Sequence, residues 1–235
     1  MTQPDGPQPG AGPPPPRTAL GERLRSVPVF AGELPGFDPT DVPADPVALF
    51  QAWLGQAIDA GVSEPHAMTV ATVDPTGAPS SRVVILKDVR AGGWEFATDA
   101  RSRKARDLDG NPLAAASFYW PAQGRQVRLT GPVRQLGAQA SAADFLARSP
   151  ASRAAALAVR PGEPLGSAAE LEAALGAALR RVQREPELVL VEWLLLVLTP
   201  LELEFWQGRP SRAHVRLGYR RDRLGDPWRH TLRWP

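Results

Sequence analysis

Between residues 68 and 136, short runs of β-branched and aromatic residues alternate with turn residues, and only one short helical segment interrupts them. Turns are predicted at Asp74-Pro-Thr-Gly77 and Pro121-Ala-Gln-Gly124, which carry proline and glycine. Connections this short join antiparallel strands, because a parallel crossover needs a dozen or more residues. The sequence therefore predicts a mainly β fold, an antiparallel barrel rather than a βαβ layer. Its strands are expected at Met68–Val73, Ser80–Val89, Trp94–Thr98, Leu113–Trp120 and Arg125–Leu136.

Helical patterns flank and interrupt these strands. Asp45 and Pro46 form a helix start, and Leu49, Phe50 and Trp53 then recur on one helical face. The expected helices are 45–61, Ser102–Leu108, Ser141–Val159 and Ser167–Gln183, and the last opens at capping-box spacing. Strand character returns at Leu188–Leu198, Leu201–Trp206, Ala213–Tyr219 and Trp228–Trp234.

Residues 1–44 are rich in proline and glycine, with four consecutive prolines at 13–16. We expect a flexible arm without regular helix or sheet, the last third of which lies on the domain surface. The folded domain is expected to span residues 45–235. The start of the chain has neither an early positive charge nor an apolar segment, so no secretory signal is predicted. The longest apolar run, Trp193–Leu198, is too short to span a bilayer, and we expect a cytoplasmic protein.

Composition removes several kinds of active site. The chain has no cysteine, which excludes disulfides, thiolate nucleophiles and cysteine-ligated metals. Its three histidines are far apart in sequence, so no metal site is predicted. Of the 27 basic side chains only Lys87 and Lys104 are lysines. In so arginine-rich a chain, a lysine that persists indicates a need for a compact ammonium charge.

The first candidate segment is Arg82-Val-Val-Ile-Leu-Lys87, whose apolar residues line both faces of a strand. Such a strand is expected to be covered on both sides. Taken alone, it is more simply a buried strand flanked by surface cations. Because positions 82 and 87 differ by an odd number, both charges reach one ligand only if the ligand straddles the sheet edge or the strand bends.

The second candidate is the segment from Thr98 to Lys104, where a strand end leads into a helix start. Unpaired amides of the first helical turn, together with Ser102, Arg103 and Lys104, are suited to binding a phosphate. An ordinary capped helix with a solvated basic turn explains the same residues equally well.

The third candidate is the segment from Glu204 to Arg216. Positions 212, 214 and 216 alternate, so an extended chain projects two guanidinium groups and an imidazole from one face, with Trp206 as an aromatic wall. A solvent-facing basic strand is the simpler alternative. A nucleic-acid surface is also conceivable, since residues 206–235 hold eight arginines against two aspartates, but the earlier part of the domain has no matching basic stripe.

In this order, the segments resemble the pyridoxamine/pyridoxine 5′-phosphate oxidase family, whose members are FMN enzymes built as homodimers of an antiparallel, Greek-key-like split β-barrel with peripheral helices. The resemblance runs from about Asp45 to Pro235. The matching motifs are Arg82-x4-Lys87, Ser102-Arg-Lys104, Arg125-Gln126-Val127, Glu204-Phe-Trp-Gln207 and Arg212-x-His214-x-Arg216.

The resemblance implies an oxidase that converts pyridoxamine or pyridoxine 5′-phosphate to pyridoxal 5′-phosphate, with O2 as acceptor and H2O2 as product. It implies FMN at the interface of a homodimer and neither a nucleic-acid nor a membrane partner. Substrate phosphate contacts are implied for Lys87, Arg148 and Ser152, and catalytic contacts to the pyridine ring for Arg212 and His214. The implied FMN contacts are Arg82, Val83, Val84, Ile85, Leu86, Lys87, Ala97, Thr98, Arg103, Lys104, Gln126, Trp206 and Arg216.

The sequence also departs from the family pattern. Asp144 stands where the family usually has a tyrosine near the substrate phosphate, and Pro161-Gly162 replaces a Gln-Ser pair expected to touch FMN. Ala97 replaces an aromatic residue, and Ala213 and Val215 alter the usual Arg-Leu-His-Asp-Arg. Two alternatives therefore stay open: a phenazine-type FMN oxidase of secondary metabolism, and a flavin-binding split barrel that stores or senses a ligand without turnover.

Overall fold

The computed structural model describes residues 18–30, 32–90 and 92–235. The helices are α1 (Ala19–Ser26), α2 (Pro46–Asp59), α3 (Arg103–Gly110), α4 (Ala138–Leu146), α5 (Pro150–Ala158) and α6 (Ala168–Arg184). The strands are β1 (Ala67–Val73), β2 (Pro79–Arg90), β3 (Gly93–Asp99), β4 (Leu113–Trp120), β5 (Arg125–Gln135), β6 (Trp193–Leu198), β7 (Glu202–Gln207), β8 (Val215–Arg220) and β9 (Arg229–Arg233).

The strands form one antiparallel sheet in the order β4-β1-β2-β3-β6-β5-β7-β8-β9. Pairing between β4 and β5 closes strands β1 to β6 into a barrel, and β7, β8 and β9 extend from β5. The spatial order β4-β1-β2-β3 is that of a Greek key. The predicted fold class, an antiparallel barrel with peripheral helices, is confirmed.

Helix α2 fills one end of the barrel with its apolar face. Asp45 caps the helix by accepting a hydrogen bond from the Val47 amide, and Pro46 occupies the first turn, where no amide donor is needed. The Phe50 ring is fully buried and packs on Trp94 and Phe118. The helix therefore joins β3 and β4 to one aromatic core.

Strand β5 changes partners at Gly131. Its first half, through Thr130, pairs with β7, and from Val133 it pairs with β6. A Cβ atom at Gly131 would overlap the backbone of Thr199 and Pro200 in the β6–β7 connection. The strand thus needs glycine here for close approach of two backbones.

Gly131→Ala is expected to lower the free energy of unfolding by about 2–3 kcal/mol, because the backbone atoms facing the new methyl group must move. The matched control is Gly55→Ala in α2, where nothing lies within 4 Å of the new Cβ and alanine favours the helix. Urea denaturation of both variants measures the difference. Equal stability of the two variants would contradict the close approach.

Two predicted boundaries were wrong. The segment Ser141–Val159, expected as one helix, is split into α4 and α5, because Pro150 cannot donate to the preceding turn. Ser149 caps the new helix by accepting from the Ser152 amide at 3.2 Å. The strand expected at Leu188–Leu198 begins only at Trp193.

The N-terminal region also differs from its prediction. Helix α1 forms where no regular helix was expected, with Thr18 as its capping residue. Further along, Phe37 and Val42 pack against the core, and the Tyr219 hydroxyl donates to the Pro43 carbonyl at 2.8 Å. The four prolines at 13–16 lie outside the described residues, and the domain boundary at residue 45 stays a prediction. Of the helices in the described ranges, none has the length and apolar character needed to cross a membrane.

Candidate functional site

A first group of side chains, here called the cation cluster, consists of Arg82, Thr98, Ser102 and Lys104. The end of β3 supplies Thr98, and Ser102 caps α3 by accepting from the Ala105 amide. The Lys104 ammonium donates to Thr98 Oγ1 at 2.8 Å and to Ser102 Oγ at 3.4 Å. The strand end and the helix start that the sequence predicted as a phosphate site therefore bring a lysine and two hydroxyls together.

Arg82 is held beside Lys104 by hydroxyl groups of β1 and β2. Its guanidinium donates to Thr72 Oγ1 at 2.9 Å and to Ser80 Oγ at 2.6 Å. Both hydroxyls in turn donate to the buried carboxylate of Asp107, at 2.6 Å and 2.9 Å. The hydrogen bond from Thr72 is the main reason that the pKa of Asp107 lies below its usual value. Asp107 thus orients the hydroxyls that hold Arg82.

The cation cluster has an excess of positive charge. Within the described ranges, neither Arg82 nor Lys104 has a carboxylate within ion-pair distance. Burial lowers the pKa of Lys104, and the nearby charge of Arg82 lowers it further. Two neighbouring cations with neutral partners are an arrangement suited to an anion. Arg103, by contrast, points outward and pairs with Asp74 at 3.5 Å, so its predicted contact with FMN phosphate stays a prediction.

Strand β2 bends at Lys87. Leu86 pairs with Phe96 and Asp88 with Glu95, so Lys87 is the extra residue of a β-bulge. A bend in this strand is one of the two ways in which Arg82 and Lys87, at their odd spacing, can reach one ligand. Val84 and Leu86 face the core, whereas Val83 and Ile85 are 65% and 38% exposed. The prediction that both faces are covered is therefore wrong for a single chain, because the outer face lies open.

A second group, here called the anchor group, consists of Lys87, Asp144, Arg148 and Trp193. The Lys87 ammonium lies 3.4 Å from Asp144 Oδ1, and the Trp193 indole donates to Asp144 Oδ2 at 2.8 Å. The Arg148 guanidinium stacks over the Trp193 ring at 4.1 Å, and its buried Nη1 has no hydrogen-bond partner in the part of the chain that the structure describes. Burial lowers the pKa of Arg148, although the charge of Asp144 opposes this effect. Two predicted substrate residues, Lys87 and Arg148, thus lie beside one carboxylate, whereas the Ser152 hydroxyl accepts a hydrogen bond from the Ser149 hydroxyl at 2.9 Å.

A third group, here called the aromatic row, consists of Gln126, Trp206, His214 and Arg216. The register of β5, β7 and β8 places Gln126, Trp206 and Arg216 side by side. The His214 ring lies 5.0 Å from the Trp206 ring, and its Nδ1 accepts from the Arg209 amide at 3.0 Å. Cross-strand pairing therefore assembles residues that are 90 positions apart in sequence.

Arg216 is not a free cation. Its guanidinium donates to Glu204 Oε2 at 2.6 Å and to the Trp234 carbonyl at 3.1 Å. Arg212 is also placed differently from its prediction: β8 begins only at Val215, and Arg212 is an exposed turn residue with φ of 68°. The expected alternation of 212, 214 and 216 along one extended face is therefore wrong at its first member.

The three groups do not meet within one chain. Three strands separate β2 from β7 in either direction around the barrel. No hydrogen bond, ion pair or ring contact between described residues joins the cation cluster or the anchor group to the aromatic row. Within one chain, the aromatic row is therefore separate from the cation cluster and the anchor group.

Several contributing residues were not found from the sequence. Asp107 carried no motif, and a charged residue on a short helix is usually taken as solvent-facing. Trp193 begins a Trp-Leu-Leu segment where the family pattern has Trp-Gly-Gly, but its contact with Asp144 was not predicted. Phe30, in the segment expected to be flexible, packs 5.8 Å from Trp206 and 5.6 Å from His214. Ala97 is half-buried and pairs with Leu195, and its side chain offers no polar contact.

The chain is similar to proteins of known family. Residues 54–183 match the family described as "Pyridoxamine 5'-phosphate oxidase", and residues 193–235 match the "Pyridoxine 5'-phosphate oxidase C-terminal dimerisation region". A pyridoxine/pyridoxamine 5′-phosphate oxidase from Thermosynechococcus vestitus is 43% identical over 199 residues, which cover 83% of this chain and 92% of the relative. One from Deinococcus deserti is 43% identical over 187 residues, covering 79% and 87%.

Solved structures agree with the sequence comparisons. PhzG from Burkholderia lata, in complex with tetrahydrophenazine-1-carboxylic acid, superposes with a TM-score of 0.79 at 29% identity and covers 87% of this chain and 100% of PhzG. A pyridoxamine 5′-phosphate oxidase-related, FMN-binding protein from Nostoc punctiforme gives a TM-score of 0.65 at 21% identity, covering 84% and 100%, which bears on the fold alone.

Proposed function

Because this chain belongs to the pyridoxamine 5′-phosphate oxidase family, an FMN-dependent group of oxidoreductases, we propose that it converts pyridoxamine or pyridoxine 5′-phosphate to pyridoxal 5′-phosphate. The observation that carries the proposal is the pair Arg82 and Lys104, two half-buried cations with neutral partners at a helix start. A flavin mononucleotide has the phosphate that such a pair requires.

The residues present fit FMN. Arg103 and Lys104 would meet its phosphate, and Arg82 and Thr98 would complete this end of the site. The β2 segment from Val83 to Lys87, whose outer face is open at Val83 and Ile85, would lie along the flavin, and Gln126, Trp206 and Arg216 would complete the site. When bound, FMN supplies the acceptor for a hydride from the substrate carbon that bears the amine or alcohol, with O2 as terminal acceptor and H2O2 as product.

The protein's own contribution is binding and orientation. Lys87, Arg148 and Ser152 hold the substrate phosphate. The phosphate is remote from the reacting carbon, and binding it fixes the position of that carbon. His214, whose ring is fixed by Trp206 and the Arg209 amide, orients the substrate ring together with Arg212. No strong general base is needed in this arrangement.

A homodimer completes the site. The match to a C-terminal dimerisation region supports the dimer. The exposed Val83 and Ile85 and the separation of the aromatic row from the cation cluster support FMN at the subunit interface, with each site built from two chains.

Asp144 and the PhzG comparison favour a second candidate function, oxidation of a reduced ring that carries a carboxylate, of the phenazine type. The purified protein is expected to show flavin absorption and to form aldehyde and H2O2 from pyridoxamine 5′-phosphate. Oxidation of a reduced phenazine carboxylate instead would favour the second candidate. A yellow protein that is inert with both would contradict both and leave a ligand-binding module.

His214→Ala is expected to lower kcat about 10- to 100-fold while FMN stays bound, because the ring positions substrate and makes no contact with the cation cluster. Steady-state kinetics and the ratio of flavin to protein measure the two effects separately. His230→Ala, at an exposed position on β9, is the matched control and should change neither. Loss of flavin from His214→Ala would contradict the assignment.

A further inference from the structure

The anchor group contains a carboxylate at the centre of the residues assigned to the substrate phosphate. Asp144 uses one oxygen for Lys87, at 3.4 Å, and the other for the Trp193 indole, at 2.8 Å. The Asp144 side chain is 14% exposed, whereas that of Lys87 is 31% exposed. Asp144 is therefore fixed in place from two sides, and it does not turn away from the ligand position into solvent.

The charges of the group can be counted. Lys87 and Arg148 contribute two positive charges and Asp144 one negative charge, and the remaining member, Trp193, is neutral. The net charge of about +1 matches a carboxylate, which is singly charged, and falls short of a phosphate monoester, which carries about −2 above its second pKa near 6. An anion held by Lys87 and Arg148 together also lies next to the Asp144 carboxylate, which repels it in proportion to its charge.

We infer that Asp144 is a specificity-determining residue, which weakens the hold of the anchor group on a phosphate dianion and admits ring substrates whose anionic group is a carboxylate. This inference rests on the proposed function, in which Lys87 and Arg148 bind the anionic end of the substrate. It assigns the substrate class: the site accepts a reduced ring that carries a singly charged anionic group as well as a phosphorylated ring.

The test is Asp144→Asn, which keeps the side-chain shape and an oxygen acceptor for Trp193 and removes only the charge. Binding to the FMN-loaded protein is measured by calorimetry at pH 8 with three unreactive probes: 4-deoxypyridoxine 5′-phosphate, phenazine-1-carboxylate and 4-deoxypyridoxine. The variant is expected to bind the dianion about tenfold and the monoanion about threefold more tightly than the natural protein, since the repulsion scales with ligand charge. Affinity for the unphosphorylated probe should stay within about twofold.

Two further variants separate the charge effect from other causes. Asp144→Glu retains the charge and should leave the preference among the three probes unchanged. Asp88→Asn removes a negative charge from β2, the strand that carries Lys87. Asp88 pairs with Arg90 at 3.0 Å, and its replacement should not increase the affinity for the dianion. A thermal melt shows whether each variant is folded.

Equal changes for all three probes in Asp144→Asn, or no change, would overturn the inference. The proposed function is tested separately by flavin content and by oxidation of the two phosphorylated vitamers. A protein that lacks this oxidation but shows the charge-dependent change in affinity would contradict the proposed function and support the role of Asp144.

Discussion

Replacing Lys104 with methionine is expected to weaken FMN binding about 100-fold or more, so that the purified variant is colourless. Among the described residues, the Lys104 ammonium has only hydroxyl partners, and it stands beside Arg82, so a phosphate suits this pair as a counter-ion. A charge-assisted hydrogen bond of about 1.5–3 kcal/mol is lost together with the neutralisation of a half-buried cation. Titration of the flavin-free protein with FMN, followed by flavin fluorescence, measures the loss.

Arg106→Met is the matched control for this variant. It removes one positive charge from the same helix, α3, at an exposed position outside the cation cluster. FMN affinity should change less than about twofold, because exposed charges are screened by solvent and salt. The flavin-free Lys104→Met protein should melt no lower than the natural flavin-free protein, since burial already disfavours the ammonium there. Retention of FMN by Lys104→Met would contradict the phosphate assignment.

The sequence was sufficient for features that depend on local pattern. Runs of β-branched and aromatic residues bounded by turn residues predicted the strands from Met68 to Leu136 within one residue, and their short connections predicted an antiparallel barrel. The scarcity of lysine pointed to Lys87 and Lys104, and the structure places both in clusters of polar and charged groups. Ser102 was recognised because a helix start has a local capping signature.

Features that depend on packing could not be predicted in this way. The bulge at Lys87 arises from the pairing of β2 with β3, which no property of β2 alone reveals. The burial of Asp107 depends on the hydroxyl groups of Thr72 and Ser80, which come from two strands and donate to its carboxylate. The polar sequence of its own helix does not predict this burial. Trp193 was predicted to lie in a strand. Its contacts with Asp144 and Arg148, which are far from it in sequence, depend on packing and could not be predicted. Pro150 was, by contrast, a local indication of a helix break. It was missed because the alanine-rich apolar pattern continues on both sides of it.

A dimer with sites at its interface makes a second prediction of large effect, based on two inactive variants. Lys104→Met removes the ammonium group from the cation cluster of one chain. The double variant Arg212→Ala/His214→Ala removes the substrate-orienting side chains of the other chain. Each homodimer is expected to be nearly inactive. If each site takes its cation cluster from one chain and its aromatic row from the partner, a heterodimer of the two variants contains one intact site and one site that lacks both parts.

The heterodimer, isolated by two different affinity tags after co-expression, is therefore expected to regain about half of the natural dimer's activity and to bind FMN with natural affinity at the intact site. A mixture of the two homodimers without subunit exchange is the control and should stay inactive. If both parts of a site came from one chain, every site in the heterodimer would carry one of the defects, and activity would stay at the homodimer level. The three strands that separate β2 from β7 in either direction around the barrel are the structural reason to expect recovery.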